Sequence, residues 1–418
     1  MKKSFHCPGR VNWLALASII AFCSISALAR AQSYVYIDDV PDYTWYAGCF
    51  GTASGNLMGF WDRNGFPDFY TGPTGGGLAP LDTFSTANKG IRSMWASKAG
   101  VDGRPADQYG HIDDYVGRNV SDNMDSYEST ADDPYVLRGR PEHKPDCIGD
   151  FIGLNQKKWT GLAGECDGNI DAYSFVFWDK TGARRVNYAQ TNSSTGQYTP
   201  DIQSGLRAWT RYRGYDADVF TQLTSFNPER TVAAGFTYND VKAEIDAGYP
   251  VLCFLQPATQ FYRNLSDPVP MKANPEIHGV LIYGYYDDPA GGYPQTVLIR
   301  TSWGSGSGYG PQSWSSFAWL GLFPVRGVIG YHPKPKITSF TRTNGTVTLN
   351  WDGPSAQIVD VVAGSRRDAH VYQVERSLDM QTFQSEGPTT SQHTATIPEC
   401  CGGAVSVFYR VTLLPPSP

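Results

Sequence analysis

A change in the residue pattern near "GYHPKPKITSF", residues 330–340, constrains most strongly what this chain can fold into. Beyond it the chain consists of short alternating segments such as "TVTLNW", "YQVERS" and "VFYRVTLL", which turn-rich pieces separate. Period-2 runs at this spacing predict a small antiparallel β-sandwich over residues 336–418. Because 418 residues exceed one ordinary core, we expect a separate and larger domain over residues 32–332.

The first 31 residues have the pattern of an export signal. Basic residues at positions 2, 3 and 10 precede the apolar run "WLALASIIAFCSISALA", and Ala29 and Ala31 form a small-x-small cleavage site. The apolar run is short for a membrane anchor and no stop-transfer pattern follows it. We therefore predict a cleaved signal peptide over residues 1–31, no membrane span, and a secreted or periplasmic location.

Charge and cysteine content narrow the possible partners. Removal of residues 1–31 takes away four basic residues and no acidic ones, so the formal charge changes from −6 to −10. An acidic chain of this kind predicts no nucleic-acid partner.

Export places the six remaining cysteines in an oxidising compartment. Sequence does not define their pairing, and Cys147 with Cys166 is the bridge we expect. Cys400 and Cys401 have no histidine at ligand spacing, so we predict no metal site.

Cys49 lies where a polar aromatic run meets a helical pattern. In "CFGTASGNLMGFWDRNG" apolar residues recur at helical spacing at Ala53, Leu57 and Phe60, and Gly65 ends the pattern. A cysteine in the first turn of a helix experiences the positive end of the helix dipole, which favours the thiolate. The alternatives are a packed thiol or half of a disulfide. A nucleophilic role would require a proton acceptor elsewhere in the chain.

The later part of the first domain contains a candidate acceptor. "TYNDVKAEIDAG" has a capping-box variant at Thr237 and Asp240 and predicts a helix, and "PVLCFL" after it predicts a buried strand. "HGVLIYGYYDD" and "QTVLIRTSWG" predict two more strands. His278 opens the first of these, where its ring can reach a neighbouring helix start. On position it is the best partner for Cys49, and a satisfied core histidine is the alternative. Between residues 66 and 235 the only element predicted is a helix near "DCIGDFIGLNQ".

These segments resemble the papain-like fold, and within it the C39-like branch of bacterial secreted cysteine peptidases. The resemblance rests on "GC" at a helix start, on the helix–Gly–Pro–strand segment, and on "HGVLIYGY" followed by "LIRTSWGSG". It implies an α+β domain in which Cys49 is the nucleophile and His278 the base. The order of "TVTLNW", "YQVERSLD" and "FYRVTL" resembles a fibronectin type III domain. The expected fold class is therefore a papain-like domain followed by an all-β immunoglobulin/fibronectin-like sandwich.

The residue that orients the histidine departs from the papain-like pattern. Thr301 precedes "SWG" where papain-like enzymes carry Asn. A threonine hydroxyl can accept the Nδ1–H of His278, but it has no charge with which to stabilise an imidazolium. Asp287 and Asp288 are charged, but they follow the strand at its far end. We therefore expect Thr301, through its hydroxyl or a water, to orient the ring.

The oxyanion donor is the second departure. Papain-like enzymes carry a glutamine some residues before the nucleophile, and none lies between Gln32 and Cys49. Tyr43 or Trp45 would donate instead, since a phenol O–H and an indole N–H are both hydrogen-bond donors. Loss of one oxyanion donor typically lowers the rate by about 10²–10³, which weakens an enzyme without abolishing it.

The predicted function is hydrolysis of a peptide or other acyl bond by a Cys–His pair, with a peptide or protein substrate and no cofactor. Two alternatives stay open. One is a catalytically silent domain of the same fold that binds peptide or cell-wall ligands, which the missing Asn and Gln favour. The other is a related amidase or transglutaminase. The sequence defines neither the bond specificity nor the oligomeric state.

Overall fold

A computed structural model describes residues 32–43, 49–67, 69, 78–81, 148–152, 178–188, 201–224, 232, 234–255, 260–264, 267–273, 278–290, 293–302, 315–318, 325–399 and 406–415. The predicted signal peptide, Trp45 and the cysteines at positions 147, 166, 400 and 401 lie outside these ranges. The described residues are mostly strand with few helices, which places the chain coarsely in the α+β class. None of the helices described has the length and apolar character needed to cross a lipid bilayer.

The described helices are α1 (Cys49–Arg63), α2 (Ile148–Ile152), α3 (Ile202–Tyr212) and α4 (Tyr238–Asp246). The strands up to residue 333 are β1 (Ser33–Ile37), β2 (Arg185–Val186), β3 (Ala217–Leu223), β4 (Val251–Leu255), β5 (Gln260–Asn264), β6 (Asp267–Ala273), β7 (His278–Asp288), β8 (Tyr293–Arg300), β9 (Ser315–Ala318) and β10 (Val325–Pro333). The later strands are β11 (Lys336–Thr343), β12 (Thr346–Asp352), β13 (Gln357–Asp360), β14 (Ser365–Asp368), β15 (Tyr372–Ser377), β16 (Gln384–Thr390), β17 (Thr394–Pro398) and β18 (Phe408–Leu413).

One large antiparallel sheet organises the first part of the chain. Its main path runs β2-β3-β10-β4-β7-β8-β9-β5-β6. Strand β7 pairs with β8 on one edge, while β4 and β1 pair with successive halves of its other edge. The first nine residues of β7 are buried. A strand covered on both faces reads as a nearly continuous apolar run, as this one does.

Helix α1 begins and ends where the sequence predicts. It starts at Cys49 and ends at Arg63, and Gly65 adopts a φ of +100°, a left-handed conformation typical of the residue that stops a helix. Every residue from Phe50 to Asp62 is buried, so the helix is enclosed on all sides. It packs against β7 and, more lightly, against β4. This packing brings the helix start close to the start of β7.

The predicted helix–turn–strand segment is confirmed by α4 and β4. Thr237 accepts a hydrogen bond from the N–H of Asp240, and the Asp240 carboxylate accepts one from the N–H of Thr237, which completes the capping box. Gly248 then adopts a φ of +81° and the chain leaves the helix. Strand β4 follows, wholly buried between β10 and β7.

More regular structure lies between residues 66 and 235 than the sequence predicts. The expected helix is present as α2, and α3, β2 and β3 are additional. Helix α3 has Asp201 as its N-cap and buries Ile202, Leu206 and Trp209. These three residues recur at the helical spacing that a periodicity argument uses. The signal for α3 was therefore present in the sequence.

Two three-stranded antiparallel sheets, β11-β12-β17 and β16-β15-β18, form the later part of the chain. Alternate residues of β12 are buried, as expected for a strand with one face on a core. The two sheets share a small core of Val347, Leu349, Trp351, Tyr372, Val374 and Ile397. The later part of the chain thus contains two sheets packed on one small core, and the immunoglobulin/fibronectin-like sandwich stays a prediction.

One hairpin from the later part of the chain joins the large sheet. Strands β13 and β14 pair with each other, and β13 also pairs with β1, so that Val35 lies opposite Asp360 and Ile37 opposite Ile358. Ala369, just after the hairpin, is buried in the core of the first part. The boundary predicted between residues 332 and 336 therefore marks the change of pattern, but the chain returns to the large sheet over residues 357–368.

Candidate active site

Cys49 occupies the first position of α1, where main-chain N–H groups lack helical partners and the helix dipole is positive. Its side chain is half-buried and is a thiol, not part of a disulfide. The main-chain N–H of Gly279 donates a hydrogen bond to the Cys49 sulfur over 3.3 Å. The helix dipole and this N–H both favour negative charge on sulfur, which is the reactive form of the side chain.

Gly279 makes this contact possible because it has no side chain. A Cβ atom at this position would lie 2.2 Å from Cδ1 of Phe50, the residue after Cys49. The Phe50 ring is itself fixed, since it stacks on Phe254 of β4 with ring centroids 4.7 Å apart. Only glycine therefore lets the start of β7 approach the start of α1 this closely.

His278 is the first residue of β7 and directly precedes Gly279. Its side chain is buried, with 4% exposed. Its Nε2 atom lies 2.6 Å from the main-chain oxygen of Thr301, at the end of β8. A carbonyl oxygen can only accept a hydrogen bond, so Nε2 carries the proton and donates. In the neutral ring Nδ1 is then the nitrogen with the lone pair, and Nδ1 is the basic atom.

This contact corrects the expected role of Thr301. The sequence predicts a threonine hydroxyl, or a water, on Nδ1 of His278. The structure has the main-chain carbonyl of Thr301 on Nε2 instead. The reason is geometric, because β8 runs beside β7 and ends where β7 begins, which brings a main-chain carbonyl next to the histidine ring. Thr301 thus belongs to the site through its backbone.

Asp287 does not take this orienting role. It lies at the opposite end of β7 and is nine residues from His278, which is about 30 Å along a strand that rises roughly 3.3 Å per residue. Its carboxylate accepts a hydrogen bond from the N–H of Gln295, near the start of β8. The judgement that Asp287 and Asp288 lie at the far end of the strand is confirmed.

Tyr43 lies outside the site, contrary to its predicted support of an oxyanion. Its side chain is fully buried and its hydroxyl donates to the carbonyl of Pro80 over 2.8 Å. The hydroxyl lies against Gly59, where a Cβ would be 2.4 Å from it. Gly59 is ten residues along α1 from Cys49, about 15 Å at 1.5 Å per residue. Tyr43 is therefore a core residue, and Trp45, the other predicted donor, lies outside the described residues.

Two residues of the site were not singled out from the sequence. Gly279 is one, and its signal was the dipeptide "HG" at a strand start, where glycine often marks a close backbone approach. Ser302 is the other. It directly follows Thr301, is fully buried, and donates through Oγ to the carbonyl of Gly279 over 3.0 Å. It is the serine of the "SWG" segment on which the resemblance rests, but nothing in that segment indicates a contact with Gly279.

Cys253 contrasts with Cys49 within the same core. It lies in the middle of β4 and has 1% of its surface exposed. Burial raises the pKa of the Cys253 thiol well above its ordinary value, because the charged thiolate is poorly solvated there. A buried thiol of this kind is chemically inert. The expected Cys147–Cys166 bridge lies outside the described residues and stays a prediction.

Among the residues that the structure describes, no group of three or more His, Cys, Asp or Glu side chains is arranged to hold a metal ion. The arrangement around Cys49 is suited to thiol chemistry. It brings together a sulfur at a helix start, a main-chain donor to that sulfur, and a histidine whose tautomer is fixed.

No protein-family model matches this chain, and neither a curated protein nor a solved structure is significantly similar to it.

Proposed function

We propose that this protein hydrolyses peptide or related acyl bonds with Cys49 as nucleophile and His278 as general base. The observation that carries the proposal is the hydrogen bond from the Gly279 N–H to the Cys49 sulfur. It joins the helix-start thiol to the residue next to a histidine whose Nε2 is already held by the Thr301 carbonyl. Nucleophilic catalysis by cysteine requires a base within hydrogen-bond reach of the thiol, and the contact brings Cys49 to the residue next to His278.

The reaction would proceed through a thioester. His278 takes the Cys49 proton on Nδ1, and the thiolate attacks the substrate carbonyl carbon. The carbon–nitrogen bond then breaks and the Nδ1 proton passes to the leaving amine. A water then gives a proton to Nδ1 as its oxygen attacks the thioester carbon. The carbon–sulfur bond breaks to release the acid, and the Nδ1 proton passes to the sulfur to restore the thiol. The main-chain N–H of Cys49 at the helix start would hold the oxyanion, since such groups point away from the helix towards negative charge.

The Thr301 carbonyl supports this role by its chemistry. When His278 has taken the thiol proton both ring nitrogens donate, and the Thr301 carbonyl accepts from Nε2 of the imidazolium as it does from the neutral ring. A carbonyl is neutral and stabilises the cation less than a carboxylate would. We therefore propose a thiolate–imidazolium pair that is present but weaker than one backed by a charged residue.

Fold and location belong to the same proposal. A helix with a cysteine at its start, packed on an antiparallel sheet whose strand carries the histidine, supports a papain-like arrangement. The paired three-stranded sheets support a fibronectin-like sandwich. Export through a cleaved signal peptide rests on the sequence of residues 1–31.

A catalytically silent, peptide-binding domain is the second candidate, and the near-complete burial of His278 favours it. Only 4% of the residue's surface is exposed, so the ring offers little surface to a substrate. This candidate predicts peptide binding without turnover, and binding that persists when Cys49 is replaced.

The test compares two thiol substitutions in the purified chain, with casein and a mixed set of fluorogenic peptides as probes. We expect Cys49→Ala to reduce hydrolysis by at least about 10³-fold, because it removes the nucleophile. Cys253→Ala is the matched control and should retain the reaction, since Cys253 is buried in the middle of β4 and a buried thiol of this kind is inert. Equal hydrolysis by Cys49→Ala would refute the proposal. Ammonia release or amine coupling at glutamine would assign amidase or transglutaminase chemistry instead.

A further inference from the structure

Ser302 has a backbone conformation that serine rarely adopts. Its φ is +63°, in the left-handed region where a side chain crowds the following carbonyl. The residue is also fully buried, immediately after the Thr301 carbonyl that contacts His278. Left-handed non-glycine residues persist only where their surroundings hold them, and they are concentrated at functional sites. This conformation is the first observation that sets Ser302 apart.

The second observation is the hydrogen bond of its side chain. Ser302 donates through Oγ to the carbonyl of Gly279 over 3.0 Å. The N–H of the same Gly279 donates to the Cys49 sulfur over 3.3 Å. Gly279 is thus held on both sides, by Ser302 at its carbonyl and by the thiol at its N–H. Glycine has the widest conformational freedom of any residue, so it requires such restraint to keep a donor aimed at one atom.

Both observations concern the main-chain groups that contact the Cys49 sulfur and the His278 ring. The backbone turn at Ser302 decides where the preceding carbonyl, that of Thr301, points as the chain leaves β8. The hydroxyl of Ser302 decides how Gly279 sits between His278 and the Cys49 sulfur. Ser302 therefore restrains the partner of each group, namely Gly279 at the sulfur and the Thr301 carbonyl at the imidazole.

We propose that Ser302 is a positioning residue of the Cys49–His278 site. Its hydroxyl holds the Gly279 N–H on the sulfur, and its left-handed turn aims the Thr301 carbonyl at Nε2 of His278. This role rests on the proposed function. It concerns the fraction of Cys49 that is thiolate, and it needs no knowledge of the substrate.

The alternative is that Ser302 only satisfies a buried carbonyl. Its replacement would then change the free energy of unfolding and nothing else. Two substitutions separate these possibilities. Ser302→Gly removes the hydroxyl and relieves the left-handed strain, while Ser302→Ala removes the hydroxyl and keeps the strain.

The experiment measures the rate of iodoacetamide modification of Cys49 from pH 5 to 9, by peptide mass mapping, together with the midpoint of thermal unfolding. We expect both Ser302 variants to react about tenfold more slowly near pH 6 and to shift the profile to higher pH, because a less well-held donor stabilises the thiolate less. Ser302→Gly should do so with an unfolding midpoint at or above that of the wild type. Ser377→Ala in the sandwich, which also loses a buried serine hydroxyl, is the control and should leave the profile unchanged.

A wild-type profile in Ser302→Gly would overturn the positioning role. His278→Ala, measured in parallel, separates this failure from failure of the proposed function. A shift of the alkylation profile in His278→Ala with none in Ser302→Gly would support the thiol–histidine pair and refute the positioning role of Ser302. A shift in Ser302→Gly with none in His278→Ala supports the positioning of the thiolate and refutes the base. No shift in either variant refutes both.

Discussion

Two histidines of this molecule are buried to the same degree and have opposite surroundings. His278 is 4% exposed and His370 is 3% exposed. Nε2 of His278 contacts the Thr301 carbonyl at 2.6 Å. Neither ring nitrogen of His370 has a hydrogen-bond partner among the described residues. The His370 ring lies between aromatic rings, with centroids 6.2 Å from Trp61 and 5.2 Å from Tyr249.

The difference shows what makes a buried histidine able to act as a base. Burial, together with the nearby His332 and His393, lowers the pKa of His370 to about 3, so this ring stays neutral and serves as packing. His278 has instead an oxygen acceptor that fixes the proton on Nε2 and leaves the lone pair on Nδ1. Orientation by an acceptor, beside a thiol, separates the candidate base from the packed histidine.

The largest expected effect is on hydrolysis, from removal of one histidine or the other. His278→Ala should lower the rate of peptide hydrolysis by about 10²–10⁴-fold, since that is the usual contribution of a general base. His370→Ala should leave the rate per folded molecule unchanged, although it should lower the free energy of unfolding through a lost aromatic contact. Equal losses in the two variants, after correction for the folded fraction, would remove the distinction between them.

The next effect concerns the glycine beside the base. Gly279→Ala should lower Cys49 alkylation by about tenfold or more and destabilise the fold by about 1–3 kcal/mol, because the new Cβ would lie 2.2 Å from the Phe50 ring. Gly330→Ala in β10 is the matched control, since its Cβ would lie 2.0 Å from Phe220. We expect the control to lose similar stability, measured by urea unfolding, and to keep the thiol reactivity. A reactive Gly279→Ala protein would argue against the N–H contact.

The packed histidine predicts a pH dependence of stability. His370 has a pKa of about 3 in the folded chain against an ordinary 6.5. The unfolded chain therefore binds the extra proton below pH 6.5, and the free energy of unfolding falls by up to about 1.4 kcal/mol per pH unit until about pH 3. Urea unfolding at pH 7 and pH 5 should detect this loss.

The charged and titratable groups around His370 define the control. His332 and His393 lower its pKa and Asp368 raises it, while Glu244 binds Nε2 of His332 at 2.5 Å. His370→Phe keeps an aromatic ring in place and removes the titrating group. The variant should lose most of the stability difference between pH 7 and pH 5. If it keeps the full difference, His393, whose pKa burial also lowers, is the responsible residue.

The smallest effect is expected at the Thr301 side chain. Its backbone carbonyl makes the contact with His278, and a substitution leaves that carbonyl in place. Thr301→Val should therefore keep the midpoint of the Cys49 alkylation profile within about 0.3 pH units, equivalent to about 0.4 kcal/mol. Asp287→Asn, at the far end of β7, should behave in the same way. A shift of a full unit in Thr301→Val would restore the hydroxyl as the orienting group.

The elements that carry the site could be predicted because their signals are local. Helical spacing and Gly65 define α1, and the Thr237–Asp240 capping box defines α4. A strand that begins with a histidine is likewise legible as a short apolar run. These signals were sufficient to predict that Cys49 begins a helix, that His278 begins a strand, and that the helix start lies near the strand start.

The contacts inside the site could not be predicted in the same way. Every residue has a carbonyl, so residue type does not show which carbonyl contacts His278. The direction of the Thr301 carbonyl depends on the φ of Ser302, and the identity of that residue does not predict its φ. Tyr43 was misplaced because its partners, Gly59 and Pro80, are set by tertiary packing. The return of residues 357–368 to the large sheet is a long-range pairing that alternation cannot reveal.

The two described thiols, Cys49 and Cys253, should differ in reactivity in the unmodified, folded protein. Iodoacetamide modification of Cys49 and of Cys253 is followed from pH 5 to 9 by peptide mass mapping. We predict rapid reaction of Cys49 that persists to about pH 6, well below the pKa near 8.5 of an ordinary cysteine, and no reaction of the buried Cys253. A Cys49 rate that falls tenfold for each unit below pH 8, as for an unassisted thiol, would contradict the claim that His278 and the helix start activate it.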